Sequence, residues 1–235
     1  MRRLKLITFD LDNTLWPVEE VILRAERASS QYLQQRFSEL VEQLSVEALH
    51  RTRDQLVQNQ SHYWKNLTRL RIDTLSQTLT QNGIAQQEAN QAAQAAFDVF
   101  YHERNQVTFF PGALKVLETL ADSYMLGALS NGNANLELIG IHDLFEFHHS
   151  AESVGEAKPA AAIFLAALSS AGVTARDALH VGDHPSEDID GARRAGFATI
   201  WANLTDQTWP ADLAAPAWCI RHLHELTDLV PLLDD

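Results

Sequence analysis

The sequence predicts an α/β protein in which helices cover both faces of a parallel sheet, with a smaller all-helical domain inserted into it. Two observations predict this architecture. Short apolar runs alternate with helical patterns from residue 107 onward, and no strand pattern occurs between residues 17 and 106. We therefore expect a core domain made of residues 1–16 and 107–235, interrupted by a helical domain of residues 17–106.

The first predicted strand is the apolar run from Leu6 to Phe9, and two aspartates follow it, Asp10 and Asp12. One residue separates these carboxylates, so they repel each other unless a cation or a shared proton offsets the repulsion. The pair therefore indicates a metal site or an acid/base pair whose pKa values differ. An Asp-x-Asp after a strand is also common in solvated turns and helix caps, and the rest of the chain has to decide between these interpretations.

The insert is predicted to consist of helices. Apolar residues recur every three or four positions after Val18, which predicts the first helix. Ser45 is expected to cap the second helix. A third helix is predicted over residues 62–81, because the Asn-Gly pair that follows commonly ends helices. The fourth, over residues 86–104, is rich in alanine and glutamine, which favour helix formation.

The rest of the chain alternates strands and helices. Pro111 is expected to begin a helix that ends near Ala121, since proline is favoured at the first helical position. Repeated strand–helix–strand units with right-handed crossovers produce a parallel, Rossmann-like sheet. The strands predicted after the insert cover residues 125–129, 145–149, 178–181, 199–201 and 217–220.

In such a sheet the carboxyl ends of the strands lie at one edge, so the loops that follow them converge. We expect this edge to gather polar residues that are far apart in the sequence. They are Asp10, Asp12, Ser130, Asn131, Lys158 and Asp183.

The three acids of this set can each take a role in phosphoryl transfer. Asp10 could attack phosphorus as a carboxylate nucleophile and form an aspartyl-phosphate. Asp12 could protonate the leaving oxygen and later accept a proton from water, which requires a pKa unlike that of its neighbour. Asp183 would complete a site of hard oxygen ligands for Mg²⁺.

The remaining residues of the set suit phosphate binding. Ser130 and the backbone N–H groups of Asn131 and Gly132 can donate hydrogen bonds to phosphoryl oxygens, and Lys158 adds positive charge. The chain as a whole carries a formal net charge of −13, which argues against sequence-independent binding to nucleic acid. An anionic substrate therefore depends on these local groups.

Four segments that contain these residues follow one another along the chain: Asp10-Leu11-Asp12-Asn13-Thr14-Leu15, Ser130-Asn131-Gly132, Lys158-Pro159, and Val181-Gly182-Asp183 with Asp188 behind it. In order and spacing they resemble the motifs of the haloacid dehalogenase-like (HAD) hydrolase superfamily, and the helical insert resembles its cap domain. The resemblance implies a phosphatase in which Asp10 is the nucleophile, Asp12 is the acid/base, and Ser130 and Lys158 bind phosphate. It also implies that Mg²⁺ is held by Asp10, the Asp12 backbone carbonyl and Asp183, and that Asp188 supports this shell indirectly.

Further segments, at residues 21–27, 130–134 and 144–147, are similar to a bacterial branch with flavin mononucleotide (FMN) phosphatase activity. This resemblance implies hydrolysis of FMN or a similar small phosphate monoester. Stacking surface and positive charge for such a substrate could come from Trp16, Tyr63, Trp64, Arg69 and Arg71. For each of these residues, the alternative is a place in the helical core or on the solvated surface.

Other activities stay open at this point. The dehalogenase branch of the superfamily lacks an acid at the position of Asp12, because a departing halide needs no proton. A phosphonatase would need a Schiff-base lysine, for which Lys65 is the candidate, and a phosphomutase would share the aspartate pair. Outside catalysis, the chain could be a phosphoacceptor module in which Asp10 is phosphorylated without turnover, or an interaction protein built on the same fold.

Composition bounds the remaining possibilities. With 46% hydrophobic residues the chain can bury a sizeable core, and no apolar stretch reaches the length of a signal peptide or a membrane span. The single cysteine, Cys219, has no partner for an internal disulfide and is expected to be a small buried hydrophobe. We therefore expect a cytoplasmic monomer or homodimer whose partner is a small phosphorylated metabolite, rather than nucleic acid or membrane.

Overall fold

The computed structural model describes residues 4–59, 63 and 65–233. Position 62, where the third helix is predicted to begin, and Trp64 lie outside the described residues. The chain divides into two compact units, one made of Met1–Pro17 with Thr108–Asp235 and the other of Val18–Val107. None of the described helices combines the length and the apolar character needed to cross a bilayer.

Six strands within the described residues form a single sheet. They are β1 Leu6–Phe9, β2 Met125–Ser130, β3 Phe147–Ser150, β4 Ala178–Gly182, β5 Ala198–Ala202 and β6 Trp218–Ile220. Their order across the sheet is β3-β2-β1-β4-β5-β6, and every neighbouring pair is parallel. β1 and β4 lie at the centre and every residue in them is buried, as expected for strands covered on both faces. The predicted α/β class with a parallel, Rossmann-like sheet is confirmed.

The unit formed by Val18–Val107 is helical throughout the part that the structure describes. Its α-helices are α1 Glu19–Arg36, α2 Val46–Asn59, α3 Leu67–Gln81 and α4 Gln86–Arg104. The last of these matches its predicted bounds. α3 begins five residues later than predicted because the Asn66 side chain caps it, accepting a hydrogen bond from the Arg69 backbone N–H at 2.7 Å.

The helical unit has its own hydrophobic core. Leu33 of α1, Leu79 of α3, and Ala92 and Phe100 of α4 are fully buried and belong to one cluster. The spacing of three or four residues between apolar positions thus corresponds to real buried faces.

The helices of the α/β unit are α5 Ala113–Ala121, α6 Leu136–Ile139, α7 Ala151–Val154, α8 Ala161–Ala171, α9 Gly191–Arg194 and α10 Leu226–Leu229. A π-helical turn, Pro185–Asp190, precedes α9. The prediction that Pro111 begins a helix is wrong. Gly112 has a φ of 82° and interrupts the helical conformation there, so Pro111 lies in the turn before α5.

The prediction for Cys219 is also wrong, because its side chain is exposed. Cys219 lies in β6, the last strand in the sheet order, where two of the three residues are exposed. An apolar run on an edge strand is less covered than the same run at the sheet centre.

Candidate active site

The candidate site lies at the carboxyl edge of the two central strands. Asp10 follows β1 and Asp183 follows β4, and the Asp10 backbone N–H donates to the Val181 carbonyl at 2.9 Å, which extends the pairing of the strands. The Thr14 hydroxyl lies 3.2 Å from Asp10 Oδ2 and 3.4 Å from Asp183 Oδ1. Two acids separated by most of the chain are therefore held beside a common hydroxyl group.

Lys158 lies in the middle of these acids and is 3% exposed. Its Nζ donates to Asp10 Oδ1 at 2.6 Å, to Asp188 Oδ1 at 2.6 Å and to the Leu129 carbonyl at 2.9 Å, which uses all three of its protons. Burial disfavours the ammonium charge, but the two carboxylates outweigh that effect and raise the pKa of Lys158. Burial likewise opposes ionisation of Asp188, yet Lys158 and His180 hold the pKa of Asp188 well below its usual value.

Asp10, Asp183 and Asp188 form an acidic cluster whose nearest carboxylate oxygens lie within 4.8 Å of one another. Burial raises the pKa of Asp10 well above its usual value, and the charges of Asp188 and Asp183 act in the same direction. Burial and the Asp188 charge also raise the pKa of Asp183 to about 7. Ionising Asp10 and Asp183 is therefore unfavourable without more positive charge than Lys158 supplies. A hard divalent cation fits this oxygen donor set and would provide that charge.

The carboxylate of Asp12 is held by a tryptophan. Trp16 Nε1 donates to Asp12 Oδ1 at 2.8 Å, and the indole itself is fully buried, with its ring edge-on to Phe109 at 5.6 Å. No face of the ring is exposed in this structure, and stacking of a substrate on Trp16 stays a prediction. Its position orients the Asp12 side chain.

The loop after β2 contains the residues predicted to bind phosphate. Ser130 is buried, and its Oγ accepts a hydrogen bond from the Gly132 backbone N–H at 2.9 Å. The Asn131 side chain joins three segments: its Oδ1 accepts from the Lys158 N–H at 2.7 Å, and its Nδ2 donates to the Lys158 carbonyl at 3.0 Å and to Glu187 at 2.8 Å. The amide of Asn131 thus fixes the backbone of Lys158.

Three residues of the helical unit that are predicted to contact substrate, Tyr63, Arg69 and Arg71, have partners within that unit. Arg69 Nε and the Tyr63 hydroxyl both donate to Asp73 Oδ2, at 2.8 and 2.9 Å. Tyr63 is 4% exposed, and stacking of a substrate on its ring stays a prediction. Arg71 donates to Glu26 at 3.0 Å and lies 3.7 Å above the Phe100 ring. A substrate contact by either arginine stays a prediction.

Two residues that are not among the predicted site residues, Gly182 and Trp201, also shape the site. A Cβ atom built on Gly182 would lie 2.4 Å from Asp188 Cγ, so the place before Asp183 admits no side chain. Trp201 Nε1 donates to the Asp183 carbonyl at 2.7 Å from the neighbouring strand β5. The glycine next to an acid is a usable sequence signal for close packing, whereas nothing near Trp201 in the sequence indicates its role.

Comparisons with known proteins agree with this arrangement. The model of the haloacid dehalogenase-like hydrolase family matches residues 4–196. The chain is 32% identical to the 5-amino-6-(5-phospho-D-ribitylamino)uracil phosphatase YigB of Escherichia coli over 97% of both chains. It is 37% identical over 129 residues to the pyrimidine 5'-nucleotidase YjjG of the same organism, which covers 52% of this chain and 57% of that one.

Among solved structures, a protein described as a 2-haloacid dehalogenase from Pseudomonas syringae superimposes with a TM-score of 0.91 at 39% identity, covering 97% of this chain and 99% of that one. A HAD phosphatase from Thermococcus onnurineus has a TM-score of 0.66 at 22% identity, covering 97% and 98%, and shares the fold. The family model spans most of the chain, and a full-length relative exceeds 30% identity. The chain is therefore an enzyme of the haloacid dehalogenase-like hydrolase family.

Proposed function

We propose that the protein is a phosphatase that hydrolyses a small phosphate monoester through an aspartyl-phosphate on Asp10. The observation that carries the proposal is the contact of the Lys158 ammonium with Asp10 inside a buried acidic cluster. Such a site places a nucleophile, a fixed positive charge and a set of oxygen ligands at one point, as phosphoryl transfer requires.

The proposed metal is Mg²⁺, held by Asp10, the Asp12 backbone carbonyl and Asp183, with Asp188 acting indirectly through its hydrogen bond to Lys158. Bound there, the ion supplies positive charge that offsets both the clustered acids and the phosphate. The fit depends on the carboxylate donors and on the raised pKa values of Asp10 and Asp183, which mark a site short of positive charge.

In the proposed reaction the Asp10 carboxylate attacks phosphorus, and the bond to the leaving oxygen breaks as Asp12 donates its proton to that oxygen. A water molecule then attacks the aspartyl-phosphate, Asp12 takes back a proton, and inorganic phosphate leaves. Lys158 stabilises the negative charge of the transferred group. The Ser130 hydroxyl and the Asn131 backbone N–H donate hydrogen bonds to its oxygens, and the Gly132 N–H joins them when it leaves Ser130 Oγ, its acceptor in this structure.

A dehalogenase is the second candidate, because the protein that is 39% identical bears that description. Asp12 favours the phosphatase. In a phosphatase the alkoxide leaving group must take up a proton, whereas in a dehalogenase the halide leaves without one. An acid held by Trp16 next to the nucleophile can therefore protonate the leaving group only in the phosphatase reaction.

The proposed substrates are phosphate monoesters in which the phosphate is carried by a ribityl-type chain. The relative YigB is named for a substrate with a phosphoribityl chain on a pyrimidine ring, and FMN carries a phosphoribityl chain on its flavin ring. Both compounds therefore present a terminal phosphate on a flexible polyol. We assign the choice of leaving group to the helical cap domain, residues 17–106, with Arg69 and Arg71 as the candidate cationic contacts.

A substrate screen tests this proposal. The purified protein with MgCl₂ is assayed for phosphate release from 5-amino-6-(5-phospho-D-ribitylamino)uracil, FMN, sugar phosphates, phosphoglycolate and nucleotides, and for halide release from 2-chloropropionate. We expect phosphate release with the highest kcat/KM on a ribityl phosphate, and no halide release. Halide release without phosphate release would replace the phosphatase by a dehalogenase.

A further inference from the structure

We propose that His180 and Thr8 are positioning residues that hold Asp188, and through it Lys158, in place against Asp10. This inference rests on the proposed phosphatase function and extends it to two side chains beneath the site. Neither side chain belongs to the four motif segments that carry the family resemblance.

Thr8 and His180 are partners across the two central strands, β1 and β4. Both residues are fully buried. His180 Nδ1 lies 2.8 Å from Thr8 Oγ1, and His180 Nε2 lies 3.2 Å from Asp188 Oδ1. The Phe164 ring packs edge-on against the imidazole, with 5.3 Å between the ring centroids, and so also restricts the movement of the His180 ring.

The partners of the imidazole determine its tautomer. The Asp188 carboxylate can only accept, so Nε2 must carry a proton and donate it. Burial lowers the pKa of His180, which favours the neutral ring and leaves Nδ1 as an acceptor. An unprotonated Nδ1 can only accept, so the Thr8 hydroxyl, 2.8 Å away, donates to it, and the Leu179 carbonyl lies 3.2 Å from the same hydroxyl oxygen. Asp188 thus fixes the tautomer, and the Thr8 hydroxyl holds the ring in place by donating to the unprotonated Nδ1.

Asp188 transmits this arrangement to the reacting groups. Its Oδ1 accepts from both His180 and Lys158, and its Oδ2 accepts from the His184 N–H at 2.9 Å. Lys158 in turn is shared between Asp188 and Asp10 at 2.6 Å each. A rotation of the Asp188 carboxyl would draw the ammonium away from Asp10. The Thr8–His180–Asp188 chain thus fixes a charge that is needed when the phosphoryl group is transferred.

A buried histidine that merely fills the core would tolerate an apolar replacement, and this gives the test. H180L removes the donor, whereas H180Q keeps an N–H that can reach Asp188. T8V removes the hydroxyl at nearly constant volume, and T8S retains it. Each variant is assayed with Mg²⁺ and p-nitrophenyl phosphate, and thermal unfolding is measured alongside.

We expect H180L and T8V to lower kcat by roughly 10–100-fold, the usual effect of removing a partner behind a site ligand, with KM little changed. H180Q and T8S should restore most of kcat. A folded T8V or H180L variant with wild-type kcat would overturn the inference, and so would equal losses in H180Q and H180L. If H180L does not fold, the T8V and T8S pair decides the outcome.

The tautomer provides a readout that does not depend on activity. The ¹⁵N shifts of the His180 imidazole should show protonation at Nε2 in the wild type and in T8S, and in T8V the Nδ1 signal should move toward that of a nitrogen that accepts no hydrogen bond. Protonation at Nδ1 in the wild type would contradict the inference. A wild-type enzyme that releases no phosphate from any ester would instead defeat the proposed phosphatase, while the tautomer measurement still reports on the hydrogen-bond chain.

Discussion

The Nζ atom of Lys158 lies 2.6 Å from Oδ1 of Asp10, although 148 positions separate the two residues in the chain. The ammonium is buried and has a second carboxylate, Asp188, at the same distance. This contact joins the proposed nucleophile to the charge that would stabilise the transferred phosphoryl group, and it yields predictions about activity, stability and metal binding.

The proposed nucleophile is tested by D10N. An amide cannot attack phosphorus, so we expect kcat on p-nitrophenyl phosphate to fall by at least about a thousandfold. The melting temperature should not fall, because the substitution removes a buried acid whose pKa is raised. Retention of substantial turnover by a folded D10N protein would exclude the assigned role. D143N makes the same change at an exposed aspartate outside the acidic cluster and serves as a control for general disturbance.

Removing the Lys158 charge should destabilise the protein. In K158M, Asp10 and Asp188 become buried carboxylates without their cation, and breaking such a buried pair costs roughly 3–5 kcal/mol. Urea unfolding in EDTA at pH 8 measures the loss. The matched control is D188N: the double variant K158M/D188N should lose less than the sum of the single losses. Simple additivity of the three values would show that the two residues are not coupled.

Mg²⁺ binding should weaken as the pH falls below about 7. Burial and the Asp188 charge raise the pKa of Asp183 from 3.8 to about 7, and the cation needs the ionised carboxylate. Below that pKa a proton must leave, which reduces apparent affinity by about tenfold per pH unit. Titration calorimetry at pH 8, 7 and 6 measures the trend. An affinity that is constant over this range would contradict it.

The raised pKa of Asp183 also predicts how the stability of the metal-free protein depends on pH: stability should fall as the pH rises, whereas Mg²⁺ affinity should increase. Because the folded pKa lies above the unfolded value, the contribution of Asp183 to stability is present at low pH and is lost as the pH rises through about 7. In EDTA, D183N should therefore stabilise the protein more at pH 8 than at pH 6. The melting temperature of D183N minus that of the wild type is measured at pH 8 and at pH 6. A difference that is no larger at pH 8 than at pH 6 would contradict the prediction.

Gly182 should tolerate no side chain. A Cβ at this position would lie 2.4 Å from Asp188 Cγ and 2.6 Å from Asp188 Oδ2, so G182A must displace the carboxyl that binds Lys158. We expect kcat/KM to fall by roughly 10–100-fold, as for other residues behind a site ligand. G155A strains the backbone at a φ of 81° but meets no atom within 4 Å, so it shows what a general loss of stability does to activity without displacing Asp188. A G182A protein with normal activity would show that the Asp188 position is not critical.

Trp16 is expected to act through its indole N–H. W16F keeps an aromatic ring next to Phe109 but removes the donor to Asp12 Oδ1. The loss of one such hydrogen bond should reduce kcat by roughly tenfold, equivalent to about 1.4 kcal/mol. The effect should disappear in a D12N background, where the acid is already absent. An equal loss in both backgrounds would mean that Trp16 acts only through packing.

The sequence by itself determined the architecture and the candidate chemistry. Hydrophobic periodicity is a local property, so it indicated the helices of the insert and the alternation of strands and helices. The central places of β1 and β4 in the sheet were not predicted and come from the observed strand order. Parallel pairing then required the loops after those strands to share an edge, which is why Asp10 and Asp183 were expected together.

Only the tertiary structure decided the partner of each polar group and how far each side chain is buried. Trp16 is fully buried, Cys219 is exposed on an edge strand, and the Asn131 side chain binds the backbone of Lys158. Hydrogen bonds and desolvation depend on atoms brought in from distant parts of the chain. For that reason the Thr8–His180 pair beneath Asp188 is visible in the fold, while the sequence shows only two polar residues within apolar strands.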